Sequence, residues 1–311
     1  MIGSGGSALI GKLLGEKNNI KANEMFSLSF YFSLILGAIL TIIGEALLEP
    51  SMRLLEADGV LLEQALIYGR IFILGTIPYA IQIEFQNLYV TAEKPKIGFL
   101  VTLISGLINI GLDALFIIAF SMDAMGAAIA TISAQYIGAI ISIIYFSKKN
   151  KSLLKLGKNH LYLKDLLRVC LNGISELLSN ISISIVGLLY NNQLLRYAGE
   201  KGVSAYGVLM YVSFIYIAIF IGYIVGIAPV ISYHYGAKNK EELSSLFQKS
   251  MILIAVTSVV QVLIAELLGG FFARAYVGYD TELLELTKRP FFIYSFNFLI
   301  CGFNLFPKLF Y

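Results

Sequence analysis

The run from Val203 to Tyr233 reads VSAYGVLMYVSFIYIAIFIGYIVGIAPVISY, without one Lys, Arg, Asp or Glu. A helix rises about 1.5 Å per residue, so about 20 apolar residues cross the hydrocarbon of a bilayer, and this run has length to spare. Outward from it lie seven more blocks free of Lys and Arg: Ser27 to Glu45, Ile71 to Val90, Ile97 to Phe120, Ala124 to Ser147, Val169 to Leu195, Ser250 to Leu268 and Pro290 to Pro307. An apolar stub from Met1 to Gly11 precedes them. Backbone polar groups find no water in lipid, so the blocks are expected as helices. The composition agrees, with 58% hydrophobic and 14% charged residues and a mean hydropathy of +0.78. Soluble domains carry about 25% charge. The expected fold class is therefore all-α, a polytopic membrane helix bundle.

The net charge of +3 could suggest nucleic acid, but the basic residues sit between the blocks and not on one face. Alternate loops carry 15 Lys and Arg on one side (Lys12 to Lys21, Lys94 and Lys96, Lys148 to Arg168, Lys238 to Lys249) and 7 on the other. The positive-inside rule makes the first set cytoplasmic and leaves the lipid bilayer, with no nucleic acid, as partner. Seven of the basic residues fall in 148–168, which is read as a cytoplasmic linker between an N-terminal lobe, 1–147, and a C-terminal lobe, 169–311. A basic stretch there also suits anionic headgroups.

The chain repeats itself at a shift of 221 residues. The identities are Gly5 with Gly226, Ile10 with Ile231, Gly15 with Gly236, Lys17 with Lys238, Asn18 with Asn239, Phe26 with Phe247, Ser29 with Ser250, Ile43 with Ile264, Glu45 with Glu266, Leu47 with Leu268 and Arg53 with Arg274. A one-residue slip then pairs Asp58 with Asp280 and Leu61, Leu62, Glu63 with Leu283, Leu284, Glu285. Both copies place their matched loops on the basic side, so the repeat is parallel. Repeated bundles of this size mark transporters.

Five acids lie in the apolar blocks, Glu45, Glu84, Asp113, Glu176 and Glu266, with no Lys or Arg inside them. A carboxylate in lipid must face a cavity, take a proton or meet a cation, so the imbalance points to protons, metal cations or cationic substrates. Asn172, Glu176, Asn180 and Ser184 recur every fourth residue and make one polar helical face, continued by Gly187 and Asn191. Glu176 is the leading cation-coupling candidate, with Asn172 and Asn180 as oxygen donors. Asp113 follows Asn109 and Ser105 on one face and is the second. Glu84 with Gln82, Gln86 and Asn87 forms a polar belt that suits a cavity wall. Glu45 and Glu266 sit at matched outer helix ends and read as interfacial. Tyr206, Met210 and Tyr211 begin an aromatic segment suited to flat organic cations.

Other motifs carry little. Gly3 to Ser7 lacks the ending of a phosphate loop. Gly11 to Gly15 and Gly222 to Gly226 have the spacing of close helix packing and nothing more specific. Cys170 and Cys301 have no metal or redox spacing. With His160 and His234 as the only histidines, no hydrolytic constellation is visible, so the chain is not expected to be an enzyme.

Asn109, Ile110, Gly111, Leu112, Asp113 followed by Gly126, Ala127, Ala128, Ile129, Ala130, Thr131 resembles the paired fifth- and sixth-helix signatures of the multidrug and toxic compound extrusion (MATE) family. Gly5, Gly6, Ser7 leading to Leu14, Gly15 resembles the end of its second helix, and Ala205, Tyr206, Gly207 with Pro229 and Tyr235, Gly236, Ala237 its eighth. Asn172, Gly173, Ser175 and Glu176 look like a bacterial subgroup of the family. The resemblance implies a twelve-helix antiporter of two six-helix lobes in the plasma membrane. Such a protein exports organic cations and drugs against H+ or Na+ by alternating access; no organic cofactor is expected, and because two lobes in one chain already form a cavity a monomer is expected. It places Glu176 on the seventh helix and Asp113 in the fifth-helix motif. The first helix, which holds a coupling Asp in many members, has no counterpart here, and the block from Pro290 carries Asn297 and Asn304 but no acid.

Two copies of a 221-residue repeat need about 440 residues. The 311 present would hold about eight and a half helices, with one and a half missing before Met1 and two after Tyr311. The alternatives are a lipid-linked precursor flippase of the same superfamily, disfavoured by the lack of Lys and Arg in the blocks, and a non-transporting remnant.

Overall fold

The computed structural model describes residues 1–54, 58–148, 152–157, 163–278 and 281–307. Parts of the expected linker, 149–151 and 158–162 with His160, lie outside the described residues, as does Asp280 of the repeat. All regular structure among the described residues is helical: α1 (Ile2–Gly15), α2 (Asn19–Leu54), α3 (Gly59–Leu74), α4 (Thr76–Thr91), α5 (Pro95–Asp113), α6 (Asp123–Ser147), α7 (Leu163–Gly236), α8 (Lys240–Val277), α9 (Thr281–Ser295) and α10 (Asn297–Leu305). A π-helical turn, Ala114–Ala119, follows α5. Inside α7, Gly199 has φ 65° and ψ −165° and divides two spans, Lys164–Gly199 and Lys201–Gly236. The positive φ falls on glycine, the residue that adopts it without steric cost.

Six helices among the described residues are long and apolar enough to cross a membrane, or seven if the bent pair α3 and α4 counts as one. That differs in detail from the eight blocks. Two of them, Ile71 to Val90 and Pro290 to Pro307, are broken helices, with breaks at Gly75 and Phe296. The bend between α3 and α4 is 41°. Pro78 has no N–H to give and its ring crowds the carbonyl of Leu74, which accounts for the first break. Large apolar side chains point outward throughout, Ile118 at 79% exposure and Leu188 at 71% among them. A soluble protein would not leave so many in water, whereas lipid accepts them.

The chain forms two compact units, Met1–Ile174 and Ser175–Tyr311. In the first, α1, α2, α4 and α6 close around Ile10, Met25, Phe26, Leu28, Phe85, Leu88, Tyr89 and Phe146. Phe85 and Phe146 stack at 5.2 Å between centroids. In the second, α7, α8 and α10 meet at Leu209, Val212, Tyr216, Val262 and Phe298, where Tyr216 and Phe298 stack at 4.7 Å. A neighbouring cluster joins Phe220, Ile231, Ile254 and Phe306.

The repeat is matched element for element. α1 ends at Gly15 and α7 at Gly236; α2 begins at Asn19 and α8 at Lys240; the breaks fall at Gly75 and Phe296. Lys17 and Lys238 both take positive φ, 61° and 55°. Asn18 Oδ1 accepts from the Lys21 N–H at 3.2 Å, and Asn239 Oδ1 from the Glu242 N–H at 3.1 Å. The ring pairs correspond too, Phe26–Phe85 at 6.2 Å and Phe247–Phe306 at 6.0 Å. A shift of 221 therefore holds through the second helix and again from the end of the third, with the one-residue slip confined to the stretch around the start of the third.

Candidate functional site

In the first unit the sequence's polar residues sort onto two sides of α4. Residues two apart on a helix lie about 200° apart, so Gln82 and Glu84 cannot line one wall. Gln82 turns to α6, where a β-carbon on Gly138 would lie 3.0 Å from its Nε2. The Ser105 hydroxyl of α5 packs against the same glycine. Ser105, Asn109 and Asp113 follow at four-residue steps along α5, and Asn109 Nδ2 reaches Thr131 Oγ1 of α6 at 3.5 Å. Ser105 Oγ and Asp113 Oδ1 are buried without a hydrogen-bond partner among the described residues. Asp113 is the last residue before the π-helical turn. A π turn inserts one residue per turn and recurs at functional sites. The row places a hydroxyl, an amide and a carboxylate at successive turns of α5, about 6 Å apart along the helix, with the amide reaching α6. Thr131 was not singled out among the polar rows of the sequence, although Gln135 follows it one turn on along α6.

Glu84 faces the other way, toward α1 and α2. It is 2% exposed, and neither carboxyl oxygen has a hydrogen-bond partner among the described residues. The buried Ser33 of α2 lies close to it, and a β-carbon on Gly3 would lie 3.0 Å from its Cα. A shift of 221 places Leu305 where Glu84 stands and Ile254 where Ser33 stands, and both belong to the apolar cluster around Phe306. The same spot in the two copies thus holds a buried carboxyl in one and hydrocarbon in the other. Burying a carboxyl without a partner costs stability, so its place in a well-packed core points to use rather than packing.

Asn172, in the first unit, is exposed; Glu176 and Asn180, in the second, are exposed as well. The sequence ranked Glu176 first, yet among these acids the structure buries Glu84. Tyr206 stacks on Tyr190 at 5.6 Å with 8° between the rings. An open depression of about 460 Å³ is lined by Asn191, Asn192, Leu195, Val203 and Ser204. Met210 packs on the core of the second unit, whereas Tyr211 is 66% exposed. Glu45 bonds Arg70 at 2.9 Å and Glu266 accepts from Ser295, so both matched acids have partners. Among the described residues no three His, Cys, Asp or Glu side chains gather as a metal site.

A helical bundle with lipid-facing exteriors, a parallel internal repeat and an acid buried in one core defines a multi-pass membrane protein of the transporter class. The sequence model of the MatE family matches residues 1–115 and 177–308. The chain belongs to that family, the multidrug and toxic compound extrusion transporters, and is not an enzyme. It is similar to the multidrug export protein MepA of Staphylococcus haemolyticus, with 28% identity over 97% of this chain and 68% of the relative. Its fold is that of an outward-facing multidrug resistance MATE family transporter of the MOP superfamily (TM-score 0.92, 19% identity, 99% of this chain and 69% of that one). It is also that of a MATE protein solved in complex with MaL6 (TM-score 0.91, 20% identity, 99% and 70%).

Proposed function

We propose that the protein exports drug-like organic cations across the bacterial plasma membrane by antiport with H+ or Na+, as a monomer, through alternating access between its two lobes. The observation that carries the coupling is the pair of carboxyls, Glu84 and Asp113, set in the first unit with buried oxygens that have no partner among the described residues. A group so placed holds a proton or a cation, or is strongly destabilising, and exchanging that ion changes the local charge by one unit. The names of the curated relatives support the drug substrates.

In this reading Asp113, Asn109 and Thr131 bind the coupling ion and Glu84 is a second ion-carrying group. Asn172, Glu176 and Asn180 form a polar face accessible to ion or substrate, and Tyr206 and Tyr211 offer rings to the flat cation, with Met210 as adaptable packing and Gln82 beside the ion row.

The test is ethidium transport in proteoliposomes with proton and sodium gradients imposed separately. Asp113→Asn and Glu84→Gln are each expected to lower gradient-driven transport on the order of tenfold, and Glu176→Gln less. Undiminished transport in both of the first two variants, at equal incorporation, would overturn the assignment.

A further inference from the structure

Residues 152–157 fall inside the expected linker, yet they are built into the first unit. Leu154 is fully buried in its core, and the Leu156 N–H donates to the Phe146 carbonyl at 3.0 Å. The Asn23 side chain grips the segment from both sides: its Oδ1 accepts from the Lys155 N–H at 2.8 Å and its Nδ2 donates to the Leu153 carbonyl at 3.1 Å. One turn on, Ser27 Oγ accepts from the Gly157 N–H at 3.0 Å, and two turns on, the Tyr31 hydroxyl donates to the Gly157 carbonyl at 3.4 Å. Asn23, Ser27 and Tyr31 thus form one row of α2 along which the segment lies as a strap. Beyond it, Asp165 pairs with Lys21 of α2 at 3.6 Å and with Arg168 at 3.1 Å.

The repeat separates this row from ordinary packing. At a shift of 221, Phe26 and Ser29 meet Phe247 and Ser250, whereas Asn23, Ser27 and Tyr31 meet Ser244, Gln248 and Ile252. Two residues of the packing face, Phe26 and Ser29, are kept in both copies, and the strap-binding row is particular to the first. Further along the chain, a β-carbon on Gly5 would run into the Val169 carbonyl, and one on Gly173 into that of Met1, so α1 and the start of α7 are in backbone contact. The first unit accordingly extends to Ile174, past the whole connection.

We propose that Asn23, with Ser27 and Leu154, is a positioning residue that keeps the inter-lobe connection fixed to the first unit throughout transport, so that the moving joint lies in α7 beyond Ile174. This rests on the alternating-access reading above. The strap contributes a fixed lever arm: if it peeled away, motion of the second unit would be spent in slack chain.

Two measurements test it. In the full chain in nanodiscs, the Lys155 and Gly157 amides are expected to exchange hydrogen slowly. Asn23→Ala should speed the Lys155 amide by about tenfold, the loss expected for one or two hydrogen bonds, and Asn23→Asp, which keeps the acceptor, by less. Exchange at free-peptide rates in the unaltered protein would overturn the proposal whether or not the protein transports. For turnover, Asn23→Cys with Lys155→Cys in a Cys170→Ser, Cys301→Ser background is cross-linked in proteoliposomes. The linked form is expected to move ethidium faster than the reduced form, at unchanged KM. Arrest on cross-linking that a reductant relieves, or full turnover in Asn23→Ala, would overturn it. Failure of the unaltered protein to transport would instead sink the antiport reading and leave the exchange measurement to decide this one.

Discussion

Gly5 and Gly226 occupy the same place in the two copies and meet different surroundings. A side chain on Gly5 would strike backbone of α7, which cannot give way, whereas nothing lies within 4 Å of a β-carbon on Gly226. Gly5→Ala is therefore expected to cost about 1 to 3 kcal/mol through overpacking. Gly226→Ala should gain up to about 1 kcal/mol from helix propensity. Thermal unfolding in detergent checks both, and equal effects would show that the α1 crossing is looser than described. At this scale the sequence was informative where a row of residues repeats every turn. Ser105, Asn109 and Asp113 were readable as one face because four-residue spacing is a property of the helix alone. That Glu84 is buried while Glu176 is exposed was not readable, because burial depends on which neighbour covers a face. Asn23 gave no signal at all, since the strap atoms it holds lie some 130 residues away and belong to the backbone.

At the scale of elements, the membrane blocks were legible because lipid punishes every unpaired backbone group, which forces long apolar runs into helices. The breaks within two of the blocks were not. Pro78 was in plain view, but a proline near the start of a helix is as compatible with a fresh beginning as with a kink. The cytoplasmic turns show what the repeat retains. After α1, the Lys17 and Asn18 N–H groups close back on the carbonyls of Leu14 and Leu13, and after α7, those of Lys238 and Asn239 on Tyr235 and His234. This geometry places a left-handed residue after the helix, a position usually filled by glycine. Lysine there carries a steric cost, so Lys17→Gly and Lys238→Gly are each expected to stabilise by about 1 kcal/mol, additively because the turns are in separate units. Loss of stability in either would mean that the lysine makes a compensating contact. Keeping lysine at both turns fits the charge rule that orients the chain.

For the whole molecule, the parallel repeat matches a two-unit architecture, and counting charges between spans predicts its orientation. Single cysteines at Lys17 and Lys238 should react with an impermeant maleimide only after the cytoplasmic side is opened, and those at Arg53 and Arg196 in intact cells. The reverse pattern would invert the topology. The sequence ended the N-terminal lobe at 147 and began the C-terminal lobe at 169, with a linker between them, and the compact first unit runs to Ile174. Charge runs signal the water-exposed loop, whereas compactness follows packing, and here helix α7 begins in the core of the unit before it.

That overlap bears on how the protein is made. The core of the first unit takes Leu154 from beyond its sixth helix and has its α1 covered by residues as far on as Gly173. During synthesis, helices α1 to α6 can enter the bilayer while an opening remains where the strap and the head of α7 will lie. Closure needs the chain as far as Gly173. The first unit is thus sealed by its own last residues, and a chain stopped after α6 would lack Leu154 and the head of α7 from that core.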